Sequence, residues 1–221
     1  MSNPGLQLVP SLTHAPRHDH DGHVVQLYTD DGFLIDVLSR FIGGALAVGD
    51  AAVVLATASH RGELERRLSA RGLDIAKASL QGRYVAVDAK ETLTRLMVDG
   101  SIDETRFNDI LGGVLKRART AIHGKDCRIA VFGELVALLW AEGRPQEAIR
   151  VEELWNDLAK THSFSLLCAD SPTHPSADAR TLRDRLQLRL RKPARKLGRG
   201  VRPKAAHSAR PEPRSSDFDD R

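Results

Sequence analysis

The turn that follows the apolar run Ala51 to Ala56 carries side chains suited to binding an anion. It spans Thr57 to Gly62 (TASHRG) and leads into an amphipathic segment rich in Arg and Glu. A phosphate cradle at such a turn needs several glycines, whose backbone N–H groups turn inward, and a lysine for the β and γ phosphates. This turn has one glycine and no lysine. It predicts no ATP hydrolysis, although Arg61 and the start of the next helix still favour an anion.

Two interpretations of this turn remain open. In the first, His60 and Arg61 contact a ligand or a partner protein. In the second, Ser59 caps the following helix and the turn has a structural role alone.

Two carboxylates, Asp88 and Glu134, each stand directly after an apolar run that predicts a buried strand. Side by side, they would be able to coordinate a metal or act in acid–base chemistry. The alternative is structural: Asp88 caps its helix, and Glu134 stabilises a helix N-terminus through the helix dipole. We favour the structural interpretation and expect no catalytic residue, because no nucleophile–base pair is readable near them.

Two tryptophans and a group of histidines are the remaining candidates. Trp140 and Trp155 fall on predicted helices beside leucines at helical spacing, which favours core packing. The wall of an apolar pocket for a hydrophobic small ligand is the alternative. Histidines and aspartates alternate near the N-terminus without the fixed spacing of a structural zinc site, so we expect no metal and no cofactor. The group comprises His14, His18, Asp19, His20, Asp21 and His23. His23, at the start of a predicted strand, is a candidate site residue by itself.

The elements that must position these residues follow from five short apolar runs, which read as strands separated by amphipathic helices. The predicted strands are His23–Tyr28, Ala51–Ala56, Tyr84–Val87, Arg128–Phe132 and Phe164–Cys168. The predicted helices run over residues 33–46, 59–70, 88–97, 101–122, 134–141 and 146–162. This alternation predicts an α/β fold with a mostly parallel central sheet of about five or more strands and helices on both faces.

In such a sheet, ligands bind beyond the carboxyl ends of the strands. That rule selects the segments 28–31, 57–61, 133–134 and 169–170 together with Asp88. The candidate ligand-binding residues are therefore His23, Tyr28, Ser59, His60, Arg61, Asp88, Glu134, Trp140 and Trp155.

Charge divides the chain into parts. Residues 171–221 hold 14 of the 33 Lys and Arg but 6 of the 29 Asp and Glu, so the body of the chain is mildly acidic. We expect a disordered segment over residues 1–22, one domain over 23–170 and a basic, disordered tail over 171–221. The tail predicts either a weak, salt-dependent contact with nucleic acid or a solubilising extension.

The two cysteines, Cys127 and Cys168, each lie inside an apolar run that reads as a buried strand, and their spacing suits neither a disulfide framework nor a metal site. No apolar run reaches the roughly 18 residues of a membrane span. We expect a cytoplasmic protein with no membrane contact.

Four stretches, in order, resemble the MEDS domain, a sensory domain of methanogen and methylotroph regulators. They are residues 56–74 (ATASHRGELERRLSARGLD), 82–100 (GRYVAVDAKETLTRLMVDG), 132–143 (FGELVALLWAEG) and 151–169 (VEELWNDLAKTHSFSLLCA). The resemblance covers about residues 23–169. One departure lies at Asp170, where the family commonly has a tyrosine after Cys-Ala.

The resemblance implies a RecA/KaiC-like fold without a working phosphate loop, serving as a sensory or regulatory module. It also implies a small-molecule ligand, for which hydrocarbon derivatives have been proposed in some members, and a histidine-kinase or anti-sigma-type signalling partner. We therefore predict a non-enzymatic sensory domain in signal transduction or transcription regulation. The alternatives are a residual nucleotide-binding ATPase of the RecA/KaiC type and a nucleic-acid-associated regulator that acts through its basic tail.

Overall fold

A computed structural model describes residues 23–27, 30–123 and 127–170 of the chain. Predictions for residues 1–22, Tyr28 and 171–221, and for the side chain of His23, lie outside this described part. Its strands are β1 (His23–Leu27), β2 (Ala51–Ala56), β3 (Tyr84–Asp88), β4 (Met97–Val98), β5 (Ser101–Ile102), β6 (Ile129–Gly133) and β7 (Ser165–Asp170).

Most helices begin and end close to the predicted positions, but the short helix Ile75–Leu80 has no counterpart among the predicted ranges. The helices are α1 (Asp31–Ala47), α2 (Ala58–Ala70), α3 (Ile75–Leu80), α4 (Ala89–Leu96), α5 (Glu104–Phe107), α6 (Gly113–Thr120), α7 (Leu135–Ala141) and α8 (Pro145–Leu158). A π-helical segment, Asn108–Gly112, joins α5 to α6. No helix in the described ranges has both the length and the apolar character to cross a membrane.

Five parallel strands form the central sheet in the order β1-β7-β6-β2-β3. At one edge, β1 pairs with β7 alone among the described strands, with His23 opposite Leu166 and Leu27 opposite Asp170. The predicted fold class, a mostly parallel sheet covered on both faces by helices, is confirmed.

The alternation of side chains along β2 divides the core between the two faces of the sheet. Ala51, Val53 and Leu55 pack with α4 to α8, whereas the residues between them pack with α1, α2 and α3. Every residue of β2 is buried, because the strand is central and covered on both faces. Burial on both faces requires an apolar residue at every position of β2, which explains the continuous apolar run in the sequence.

The direction of the chain changes between β2 and β6. From β2 the chain adds β3 on one side, and it then returns to place β6 on the other side of β2. The helix after β2 and the helix after β6 pack on opposite faces, because α2 packs with α1 and α7 packs with α8. Such a switch point opens a crevice at the carboxyl ends of the two strands, which is where open α/β sheets bind ligands.

The segment between α4 and α5 differs from the prediction of one helix from residue 101. Residues 97–102 form a hairpin, because Asp99 and Gly100 both have positive φ (48° and 82°) and make a two-residue turn. Asp-Gly is a strong signal for such a turn. Ser101 therefore lies in β5, and Asp103 caps the next helix by accepting a hydrogen bond from the Arg106 backbone N–H at 2.7 Å.

Two further predictions about local structure are wrong. Thr57 is the N-cap residue of α2, and Ser59 lies exposed within its first turn, because the helix begins at Ala58. Cys127 lies outside β6, which begins at Ile129, and it is only partly buried. Cys168 is buried in β7 as predicted.

We predict that Asp50→Ala destabilises the sheet. Asp50 is 6% exposed, and its Oδ1 accepts a hydrogen bond from the Arg128 backbone N–H at 2.9 Å, just before β6. Removing the acceptor leaves this partly buried donor unsatisfied, at a cost of about 1–3 kcal/mol. Urea unfolding measures the loss. Asp157→Ala, which breaks only the surface pair of Asp157 with Lys160, is the matched control and is expected to change stability by less than about 0.5 kcal/mol. Equal stability of the two variants would contradict this role of Asp50.

Candidate functional site

The carboxyl ends of β6, β2 and β3 bring together the loops that hold the candidate residues. Leu55 lies opposite Gly133, and Ala56 lies opposite Asp88. The residues that come next along each chain segment are therefore neighbours in space. We call the group at this edge, Asp31, Thr57, His60, Arg61, Asp88 and Glu134, the edge cluster.

Glu134 lies at the centre of the edge cluster and is 2% exposed. Its backbone N–H continues the ladder of β6 by donating to the Leu55 carbonyl at 2.9 Å. Its side-chain Oε2 accepts from the Thr57 backbone N–H at 2.6 Å, and Oε1 is hydrogen-bonded to His60 Nδ1. The carboxylate thus occupies the crevice between β2 and β6 and satisfies a backbone donor at the start of α2.

His60 connects Glu134 to the first helix. Its side chain is 13% exposed, and its Nε2 lies 3.5 Å from Oδ1 of Asp31, the first residue of α1. The hydrogen bond to Glu134 raises the pKa of His60, and the charges of both carboxylates add to the effect, while burial opposes it. A protonated imidazole at this position links α1, α2 and the end of β6.

Arg61 connects β2 to β3. Its Nη2 donates to Asp88 Oδ2 at 2.8 Å, and both side chains are about one quarter exposed. Asp88 also caps α4, since its Oδ1 accepts from the Glu91 backbone N–H at 3.0 Å. That backbone hydrogen bond, assisted by Arg61, lowers the pKa of Asp88. The predicted capping role of Asp88 is confirmed, together with an ion pair that the sequence did not predict.

The chemistry open to the edge cluster follows from these contacts. Both oxygens of Glu134 are engaged by the protein, one by the Thr57 backbone N–H and the other by His60. Within the described ranges, no group of three or more His, Cys, Asp and Glu side chains is arranged to hold a metal ion. The Nε of Arg61 is buried without an acceptor among the described residues. The cluster is suited to holding or releasing a proton at His60 and to exchanging one ion pair for another.

Two cavities open at the other end of the strands, near their amino ends. Their volumes are about 210 and 360 Å³, and Gln81 and Arg83 line both. Neither is lined by a candidate site residue. We assign greater weight to the carboxyl edge, because charged side chains with defined partners converge there and the switch point lies there.

The structure therefore brings together four of the predicted site residues, His60, Arg61, Asp88 and Glu134. Ser59 lies exposed in the first turn of α2, and none of the described edge-cluster contacts involves it. Two members of the edge cluster, Thr57 and Asp31, lie in the selected segments 57–61 and 28–31 but were not among the candidate residues. The acidic pair at residues 30–31, directly before a helical pattern, was the available signal for Asp31.

Trp140 of α7 and Trp155 of α8 are both buried in the core, at 3% and 2% exposure, as the core-packing interpretation predicts. The ring of Trp155 makes edge-on contacts with Phe107 and Phe164, with centroid distances of 5.3 and 5.8 Å. They lie on the face of the sheet opposite to α1 and α2. Neither is part of the edge cluster.

A family model described as "MEDS: MEthanogen/methylotroph, DcmR Sensory domain" matches residues 22–185, which is more than half of the chain. This match includes all of the sheet and the whole edge cluster. No curated protein matches the sequence.

We predict that His60 makes stability depend on pH with a definite sign. The pKa of His60 is raised in the folded chain. Its contribution is therefore complete below the unfolded pKa of about 6.5 and is lost as the pH rises through the folded pKa. His60→Gln should lower the free energy of unfolding by roughly 1–3 kcal/mol at pH 6, because a charge-assisted hydrogen bond is lost. The difference from wild type should shrink as the pH rises.

Urea unfolding between pH 6 and pH 9 measures this difference. His123→Gln, at an exposed position, is the control and should track the wild type at every pH. A difference for His60→Gln that stays constant or grows toward alkaline pH would contradict the assignment.

Proposed function

The chain belongs to the MEDS family of sensory domains, and on that premise we propose that it is a non-enzymatic sensory module whose edge cluster acts as the switch. The observation that carries the proposal is the position of Glu134. The crevice at the switch point, where α/β sheets bind ligands, is filled by the chain's own carboxylate, held by Thr57 and His60. The domain therefore contains an ion pair that a conformational change can break and remake.

The contacts that hold Glu134 and Asp88 support a regulatory role over a catalytic one. A general acid or base has to reach a proton on the substrate within hydrogen-bond distance. Glu134 is 2% exposed and bonded at both oxygens, whereas Asp88 is held by Arg61 and by its own helix. A carboxylate arranged in this way stabilises one state of the protein.

The contacts of His60 favour a mechanism for passing the signal on. His60 belongs to α2, contacts β6 through Glu134 and approaches α1 through Asp31. The two helices share one face of the sheet, and Gly43 of α1 lies so close to α2 that an added Cβ would stand 3.1 Å from Leu68 Cδ2. Tightly packed helices respond to a local change by a small joint shift. Opening of the Glu134–His60 pair would therefore move α1 and α2 together.

The finer parts of the proposal follow from the family and from the turn at residues 57–62. We propose a RecA/KaiC-like origin with the nucleotide chemistry lost, which the strand, turn and helix with a single glycine and no lysine support. We also propose a cytoplasmic location, a small-molecule signal, and an output through a histidine-kinase or anti-sigma-type partner.

We predict that the full chain neither binds nor hydrolyses ATP specifically. Equilibrium titration with labelled ATP and Mg²⁺ should give no saturable binding, and phosphate release should stay at the level of a protein-free control. Glu134→Gln should leave both results unchanged. Hydrolysis in the wild type that Glu134→Gln abolishes would overturn the proposal in favour of a residual ATPase.

We predict that Glu134→Ala opens the start of α2 locally. The amide of Thr57 loses its acceptor, so its hydrogen exchange should be at least about tenfold faster, which corresponds to roughly 1.4 kcal/mol. The amide of Val54, in the middle of β2, reports on global opening and serves as the internal reference. Glu63→Ala, at a surface pair on α2, is the matched control. Unchanged exchange at Thr57 would mean that the carboxylate does not hold the closed state.

A further inference from the structure

Arg83 has a fixed position at the amino ends of the strands, directly before β3. Its Nη1 donates to the backbone carbonyls of Leu46 and Asp50, both at 3.3 Å, and its Nε donates to Gln81 Oε1 at 3.1 Å. These contacts join the last turn of α1, the residue before β2 and the end of α3. The guanidinium group is thus held in one place by the protein itself, which lowers the entropic cost of binding a ligand there.

The charge of Arg83 has no counter-ion within the described ranges. By contrast, Arg61 pairs with Asp88, and Arg150 pairs with Glu104. Each Nη nitrogen of a guanidinium carries two N–H groups. Nη1 of Arg83 directs its hydrogen bonds to two carbonyls, whereas Nη2 has no acceptor among the described residues. A positive charge and two N–H donors are therefore available to a ligand.

Two cavities flank this guanidinium, with volumes of about 210 and 360 Å³. Arg83 and Gln81 line both of them. Because the amide oxygen of Gln81 accepts from Arg83 Nε, the amide NH₂ group is left to donate. The wall that the cavities share therefore presents N–H donors, and the larger cavity has the size of a small-molecule site.

The charges around the two cavities favour an anion. Lys77 adds a second positive charge to the smaller cavity, and His123 lines the larger one. Among the described lining residues the single carboxylate is that of Asp74, whose Oδ1 accepts from the Lys77 backbone N–H at 2.8 Å to cap α3. The carboxylate of Asp50 lines neither cavity, is 6% exposed and accepts from the Arg128 backbone N–H. Carboxylate and phosphate oxygens supply both the acceptor and the negative charge that this wall lacks.

We propose that the two cavities form a binding site for small oxyanions, that is, carboxylates or phosphates. The oxygens of the anion accept hydrogen bonds from Arg83 Nη2 and from the amide NH₂ of Gln81, and Lys77 adds attraction from the side of the smaller cavity. Apolar residues complete the lining, so the anionic group is carried on a small, partly apolar body. They are Leu46, Leu73, Ile75, Ala78, Ala121 and Ile122.

This site goes beyond the proposed function, because it lies at the amino ends of the strands and shares no residue with the edge cluster. One element contacts both places. Leu46, near the end of α1, accepts from Arg83, and Asp31, at the start of α1, lies 3.5 Å from His60. An anion on Arg83 therefore binds at one end of a helix whose other end contacts the edge cluster.

Full-length protein labelled with ¹⁵N tests the site by titration with inorganic phosphate and, separately, with succinate at constant ionic strength. The backbone amide signals of Gly49 and Gly82, at the cavities, are the readout, so anion contacts of the basic residues 171–221 are not counted. We expect both signals to move saturably, whereas neutral succinamide and sodium chloride should leave them in place. A response to phosphate alone assigns the site to phosphate compounds, and a response to succinate alone assigns it to carboxylic acids.

Two variants remove the site in different ways. Arg83→Gln removes the guanidinium and should weaken binding at least about tenfold. Gln81→Glu keeps Arg83 and supplies a carboxylate of the chain's own at an exposed position, so it should weaken binding similarly and leave the fold intact. Arg66→Gln and Gln146→Glu make the same charge changes at exposed positions that line neither cavity, and they should bind as the wild type does.

Three results would overturn the site. They are no saturable movement with either anion, equal movement with sodium chloride, and binding by Gln81→Glu that equals binding by Gln146→Glu.

Discussion

A carboxylate buried in a protein interior needs hydrogen bonds and an opposite charge, and the carboxylate of Glu134 imposes this requirement on the whole carboxyl edge of the sheet. The backbone N–H of Thr57 and the ring of His60 satisfy it. Thr57 is the N-cap of α2 and His60 lies in its first turn, so the end of β6 and the start of α2 are held in a single arrangement. The attraction of His60 to Asp31 extends the constraint to α1. The relative positions of three elements thus depend on one ionised group.

The end of β6 also contacts the helices on the opposite face of the sheet. Because side chains alternate along a strand, Gly133 and Glu134 face different helical layers although they are adjacent in sequence. On one side, a missing side chain leaves room beside Trp155, and on the other a charged side chain fills the crevice. A glycine followed by a buried acid thus places the end of one central strand in contact with the helices of both layers.

The sequence predicts the strands well, because a parallel sheet covered on both faces requires unbroken apolar runs such as Ala51–Ala56. It predicts less well where local signals compete, as at residues 97–102, where an Asp-Gly turn overrides the helical pattern around it. The rule for carboxyl ends selects His60, Arg61, Asp88 and Glu134, and the structure places these four side chains together. It does not predict their pairing, because the partners follow from the order of the strands. That order involves hydrogen bonds between residues 74 to 78 positions apart, which local periodicity does not predict.

The position of β1 in the sheet has a consequence for how the chain acquires its structure. β1 is the first described strand, and its neighbour is β7, the last. At a synthesis rate of roughly 5–20 residues per second, the ribosome needs on the order of ten seconds or more to make the segment between Leu27 and Asp170. Throughout that time β7, the strand with which His23–Leu27 pairs, is incomplete. Among the described strands, the one made first therefore pairs only after the last has been made.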